Sequence, residues 1–175
     1  PKIVDTQEIK DPSLMDLLIV KQEEESKSFS NFLNLAELSE INFNDYEDIT
    51  LLIPEDKGFE SISNDVKEQI FSNKELAYEI VSNHILPFKF KESNLKKYSH
   101  LDTLNGGSLD IEVSDRKLII NEKIRVIEKD IKVEKGLVHL IDNPILDNIN
   151  NEDNFNVPAV KFNQIIEKSL IAIKM

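Results

Sequence analysis

Apolar positions in the first half of the chain recur with a helical period. Leu14, Leu17 and Leu18 follow Asp11-Pro12-Ser13, and Ser13 with Asp16 makes a capping pattern at the head of a helix. Glu23, Glu24 and Glu25 extend that segment as a charged run, which reads as a solvated helix face rather than a cation site. Phe29, Phe32, Leu33, Ala36 and Leu38 form a second stripe, the core face of another helix. Ile49 to Ile53 is a short β-friendly run stopped by Pro54. Val66, Ile70 and Phe71 predict a short helix. Ser72-Asn73-Lys74-Glu75 reads as a capping box that opens a stronger helix carrying Leu76, Ala77, Ile80, Val81 and His84, ended by Pro87.

After Pro87 the period changes from 3.6 to 2. Leu109, Ile111 and Val113 alternate with polar residues, and Leu118 to Ile120, Ile124 to Ile127, and Ile131 with Val133 follow as separate short strands. Asn105-Gly106-Gly107 and Ser114-Asp115-Arg116 are turn signals between them. Leu137 to Ile141 is an apolar run around His139, as expected of a strand covered on both faces. Helices first and strands after predict an α+β domain over residues 1–147. Residues 148–175 are expected to be a polar, Asn-rich linker followed by an amphipathic helix. Its stripe runs from Ala159 through Phe162, Ile165, Ile166 and Leu170 to Ile173.

Composition narrows the function classes. The chain has 175 residues, the size of one domain, with 40% hydrophobic residues. Against 21 basic residues stand 33 acidic ones, a net charge of −12, which repels nucleic acid and anionic membrane surfaces. The absence of cysteine removes disulfides, thiol catalysis and thiolate metal sites. No apolar run approaches the ~20 residues of a membrane span, so no direct membrane insertion of this stretch is expected. The start at Pro1 reads as a piece of a longer protein, with any signal or anchor outside it. No Asn-x-Ser/Thr sequon occurs, so N-glycosylation of this stretch is not expected.

Candidate chemistry is sparse. His84 and His139 invite a catalytic, metal-binding or small-molecule reading. The competing reading is a pair of hydrogen-bonded structural histidines, since a metal needs three or four convergent ligands. His100 sits in a polar stretch and is expected at the surface. Asp45 and Asp48 lack the ligand count of an EF-hand and are expected to shape a loop. No serine stands in a nucleophile elbow, and Gly106-Gly107 is a turn rather than a phosphate cradle. No cofactor and no metal are expected.

Four segments, in order, resemble the fasciclin family over roughly residues 3 to 146. Thr50-Leu51-Leu52-Ile53-Pro54-Glu55-Asp56-Lys57-Gly58-Phe59 is similar to the family's first signature. His84-Ile85-Leu86-Pro87 is similar to its Tyr-His segment, with Asn83 where Tyr is usual. Thr103-Leu104-Asn105-Gly106 is similar to a hairpin entry. Gly136 through His139 to Asp142, followed by Ile145-Leu146, resembles the second signature. The resemblance implies a wedge-shaped β-sandwich of about seven strands with a helical N-terminal subdomain. Pro54, Phe59, His84, Asn105, Gly106, Gly136, His139 and Asp142 then become structural motif residues. Pro54 would stop its strand, Asn105-Gly106 would supply the positive φ of a tight hairpin, and Asp142 would accept donors in the turn before Pro144.

In function, the resemblance implies a non-catalytic protein-interaction module for cell adhesion, with protein partners and neighbouring domains of the same kind in a longer chain. It implies a secretory-pathway, extracellular or cell-surface setting. A lumenal endomembrane (vacuolar) factor for membrane fusion or sorting is the alternative, and a histidine-based enzyme or carrier a third. Lys129, Asp130 and Ile131 match the centre of an integrin-recognition motif of the form Asn-Lys-Asp-Ile-Leu in animal members, whereas Glu128 and Lys132 depart from it. Two readings stay open there: a binding site, and a plain strand with Ile131 inward and the charges outward.

Overall fold

The computed structural model describes residues 11–146. The proposed linker, the C-terminal amphipathic helix and residues 1–10 lie outside the described residues.

Ser13 starts the first helix as its sequence requires: the hydroxyl accepts the Asp16 N–H at 3.1 Å, opening α1 (Leu14–Glu25). Leu17 and Leu18 turn into the core, while Met15 and Ile19 remain on the outer face. The second helix, α2 (Ser30–Ser39), has no cap of its own, because Phe29 stands at the capping position. Its cap comes from far along the chain. The Asp56 carboxylate accepts N–H bonds from Ser30 and Asn31 and hydroxyl bonds from Ser28 and Ser30. Burial alone would raise the Asp56 carboxyl, but these donors outweigh it and hold it below the usual range. Asp56 opens the 3-10 turn Asp56–Phe59, directly after β1 (Ile49–Pro54). A polar position after the strand thus ties strand to helix. Gly58 in the same turn packs so tightly that a Cβ would lie 2.3 Å from the Asp142 carbonyl oxygen.

Two further helices follow, α3 (Asn64–Ile70) and α4 (Lys74–Ser82). The expected capping box at Ser72 is displaced by one residue. Asn73 is the cap, accepting the Leu76 N–H at 3.0 Å, while the Ser72 hydroxyl donates back to Glu68 in the preceding helix. α4 also ends before His84, not at Pro87. Ile85–Leu86 form a two-residue strand, β2, paired antiparallel with β1. A helix of four residues, α5 (Glu92–Leu95), and a short strand, β3 (His100–Asp102), then precede the hairpin region.

The remaining strands are β4 (Ser108–Ser114), β5 (Lys117–Ile120), β6 (Ile124–Val133) and β7 (Gly136–Ile141). The two strands expected at 124–127 and 131–133 are one strand, bent by a bulge. Asp115-Arg116 and Asn121-Glu122 carry the positive φ angles of the tight turns on either side of β5. In the Asn105-Gly106 turn only Gly106 is left-handed, at φ +90°; Asn105 contributes through its side chain.

The seven strands are ordered β2-β1-β7-β6-β5-β4-β3, an α+β arrangement in which β1 and β7 are parallel neighbours inside the sheet. All six residues of β1 and all six of β7 are buried, because both faces of this strand pair are covered. On one side Leu51, Ile53, Val138 and Leu140 meet the helices through Phe32, Leu35 and Ile80. On the other, Leu52 and Ile141 meet Leu109, Leu118 and Ile120 from the far end of the same sheet, which folds back as the second layer of a sandwich.

Candidate functional site

The segment Lys129-Asp130-Ile131 sits at the bend of β6. Glu128 pairs with Leu140 and Ile131 with Val138, so two residues, Lys129 and Asp130, oppose the single residue His139. Asp130 takes φ +55° and turns its N–H into the sheet, where the His139 Nδ1 accepts it at 3.1 Å. The opposite ring nitrogen, Nε2, donates to the Phe90 carbonyl at 2.8 Å. His139 is therefore the neutral, Nε2-protonated tautomer. Burial lowers its pKa, although the Phe90 carbonyl and the Asp130 carboxylate act in the opposite direction.

His139 thus braces two loops from below. Above it, the Asp130 carboxylate accepts the Glu92 N–H at 2.8 Å. Lys129 reaches Glu92 Oε1 at 2.8 Å, and Lys96 reaches the same oxygen at 3.2 Å. Burial would raise the Glu92 carboxyl, but these lysine bonds outweigh it and hold it below the usual range. A second brace comes from β1. The Thr50 hydroxyl donates to the Phe88 carbonyl at 2.6 Å and accepts the Phe90 N–H at 2.8 Å. The result is a rigid ledge carrying aromatic rings: Phe88 meets Phe90 edge-on at 6.2 Å, and Phe90 meets Tyr98 at 5.8 Å. Phe88 is 66% exposed and Tyr98 46%.

The three motif residues are therefore not equivalent. Lys129 and Asp130 stand at the surface beside the aromatic ledge. Ile131 is half-buried and packs against the helical core. The plain-strand alternative placed Ile131 correctly but missed the bulge. Phe88, Glu92 and Tyr98 were not legible as site residues. The alternation Phe88-x-Phe90 directly after Pro87 was the available signal.

His84 is also fully buried. Its Nδ1–H donates to the Ile80 carbonyl at 2.7 Å, and Nε2 accepts the Ile145 N–H at 2.9 Å. The ring meets Phe32 edge-on at 5.6 Å. Burial pushes its pKa down to about 4. Both nitrogens of both buried histidines are committed to hydrogen bonds within the protein, which leaves a histidine-based reaction no free ring atom. His100 is exposed, as expected. Among the described residues, no three His, Asp or Glu are placed to hold a metal, and no helix is long and apolar enough to cross a membrane.

The other motif residues are built into the frame. Pro54 closes β1 opposite Ile141, and Phe59 is buried against Phe71. The Asn105 carboxamide accepts the Gly107 N–H and the Thr103 hydroxyl, both at 2.7 Å, and donates to Glu79 at the end of α4. Asp142 does not serve the turn before Pro144. Its carboxylate accepts the Arg125 N–H on β6 at 2.9 Å and the Asn143 amide, pinning the end of β7 to its neighbour.

His139→Ala removes the brace beneath the bulge and orphans the Asp130 N–H and the Phe90 carbonyl. A loss of about 1–3 kcal/mol in denaturant unfolding is expected. An unchanged unfolding midpoint would contradict the structural role.

A helix-covered sandwich of seven strands, with a buried parallel pair within the sheet and its buried histidines used as braces, is the frame of a fasciclin domain. The fasciclin-domain family model matches residues 24–147, and the chain belongs to that family. Among curated relatives, transforming growth factor-beta-induced protein ig-h3 of Sus scrofa is 31% identical over 93 residues, covering 53% of this chain and 14% of that protein. Human periostin is 25% identical over 122 residues, 67% of this chain and again 14% of the relative. The chain thus spans a small part of the length of these relatives. A solved FAS1 domain pair from the insect cell adhesion molecule Fasciclin I superposes with a TM-score of 0.60 at 22% identity, covering 79% of this chain and 52% of that one.

Proposed function

We propose that this domain is a non-catalytic protein-interaction module of the cell-adhesion kind, and that its contact face is the bulge at Lys129 and Asp130 together with the ledge of Phe88, Phe90 and Tyr98. Family membership supports the general reading. The observation that carries the face is a pair of exposed rings, Phe88 and Tyr98, flanking Phe90, in a segment whose backbone Thr50 and His139 tie to the sheet at Phe88 and Phe90, beside two oriented charges. Rigid aromatic anchors lose little entropy on binding and dominate interface energetics, and fixed charges set specificity. Ile131 belongs to the core side and acts by holding the bulge in register. On this reading the domain works outside the cytosol, and the solved neighbour's origin in a cell adhesion molecule is in keeping with it.

The test is attachment of cells from the protein's own source to surfaces coated with the domain. Phe88→Ala and the pair Lys129→Ala/Asp130→Ala are expected to cut attachment by about tenfold or more. Phe88→Ala should leave the melting temperature within a few degrees of wild type. Attachment equal to wild type in both variants, or no attachment above an albumin coat, would reject the face.

A further inference from the structure

We infer that the groove between the β4–β5 turn and β6 is a binding site for an acidic peptide segment, which would lie along β5 and β6 in extended form. The inference rests on the reading above for the partner being a protein, since groove and bulge share Glu92 and Lys129. The groove has a volume of about 490 Å³. The chain contains two arginines, Arg116 and Arg125, and both line it, with Lys117 between them along the rim.

Two of the three carboxylates of the same groove are paired with lysines, and the third is held by neutral hydrogen-bond donors. Glu128 is bound by Lys21 and Lys27, Glu92 by Lys129 and Lys96, and Asp142 by the Arg125 N–H and the Asn143 amide. Arg116, Lys117 and Arg125 form no ion pair with a carboxylate among the described residues. Three cations without an ion pair therefore face one groove, against a single unpaired carboxylate, Asp142, in a chain of net charge −12. Repulsion from the remaining acids is screened over about 8 Å at physiological salt, so these local charges decide what approaches.

Chemistry and spacing define the ligand. Guanidinium forks match carboxylates in a bidentate geometry. Arg125 is opposite Ile119, and Arg116 stands three residues before Ile119, in the turn that leads into β5, which sets the two backbones on the order of 10 Å apart. Carboxylates two to four residues apart in an extended chain fit that span. Between the arginines the surface is aliphatic, with Ile127 39% exposed, so apolar side chains alternating with the acids complete the match.

The test is fluorescence titration of the folded domain with a labelled peptide, Ser-Leu-Glu-Leu-Glu-Phe-Glu-Ser, and with its counterpart carrying Gln for each Glu. Saturable binding of the acidic peptide alone is expected, weakening with added salt. Arg116→Gln/Arg125→Gln should weaken it at least tenfold, and Arg116→Lys/Arg125→Lys to an intermediate degree. Both pairs lie at the surface, and unchanged melting curves would show that the loss is not unfolding. No binding, equal binding of the Gln peptide, or a double variant that binds like wild type would overturn the inference. So would displacement of the peptide by a heparin fragment that binds more tightly, since the occupant would then be a sulfated polysaccharide. Arginine-dependent peptide binding alongside normal cell attachment to the Phe88→Ala domain would uphold the groove and reject the aromatic face.

Discussion

Gly136→Ala is expected to destabilise the domain by about 4 kcal/mol or more, a large share of the ~5–15 kcal/mol that holds a typical domain folded. Gly136 opens β7 opposite Ile49, in the register that joins the two parallel strands. It takes φ +154°, and a Cβ there would fall 1.8 Å from the Ile49 carbonyl oxygen and 2.8 Å from the Ile49 nitrogen. Those atoms belong to backbone that is itself hydrogen-bonded, since the Ile49 N–H donates to the Lys135 carbonyl at 3.1 Å. No rotamer change relieves the clash. Relief requires β1 and β7 to part, which opens both core layers at once. Gly106→Ala is the internal control: Gly106 is left-handed at φ +90° but has nothing within 4 Å of the added carbon. Only the conformational cost of about 1–2 kcal/mol is expected there. Urea unfolding of the two variants measures the difference. A Gly136→Ala protein within 1 kcal/mol of wild type would show that the strand pair tolerates a separation that close packing forbids.

His84→Ala carries the second large effect, a loss of about 3–4 kcal/mol in the same measurement. The substitution orphans the Ile145 N–H and the Ile80 carbonyl and opens a cavity beside Phe32. The ring also makes stability depend on pH. The folded pKa is about 4, against an ordinary 6.5 in the unfolded chain. Between those values the unfolded state takes up a proton that the native state refuses. The contribution is complete above about pH 6.5 and is lost progressively as pH falls towards 4, to a total of about 3 kcal/mol. His139 is shifted in the same direction and adds to the slope. Glu25, Asp56 and Glu92 are all held below their ordinary values, so their contributions disappear at lower pH, as they protonate in the native state. Unfolding free energy measured from about pH 7 to 4 should therefore decline before the carboxylates titrate, and less steeply in His84→Gln. A flat profile across that window would mean that the native state accommodates the imidazolium.

Much of this protein was legible in one dimension because its cause is local. Ser13 caps α1 with an atom three residues away, and Phe32 and Ala36, read from the helical period alone, are buried in α2, whereas Leu35 of the same face was missed. The run at Leu137 to Ile141, apolar except for His139, announced a strand covered on both sides, and β7 is buried along its whole length inside the sheet. The turn residues between β4 and β5 likewise declared themselves by type.

What tertiary structure decided depends on partners distant in sequence. Ile85–Leu86 is too short to show any period and is a strand only because β1 offers an edge. The bend in β6 looked like two strands because the alternation breaks at Asp130, and the break exists because His139 takes up the Asp130 N–H. The cap of α2 resides in Asp56, whose value as a cap appears only once β1 has crossed beneath the helix. The candidate contact face has the same origin. Phe88, Tyr98, Lys129 and Asp130 come from loops some 30–40 residues apart, and two buried side chains, Thr50 and His139, bring them side by side. Propensity and periodicity act over one or two turns of chain. Hydrogen bonds from a buried ring to two loops are satisfied only when the sheet has closed, and no local pattern encodes that closure.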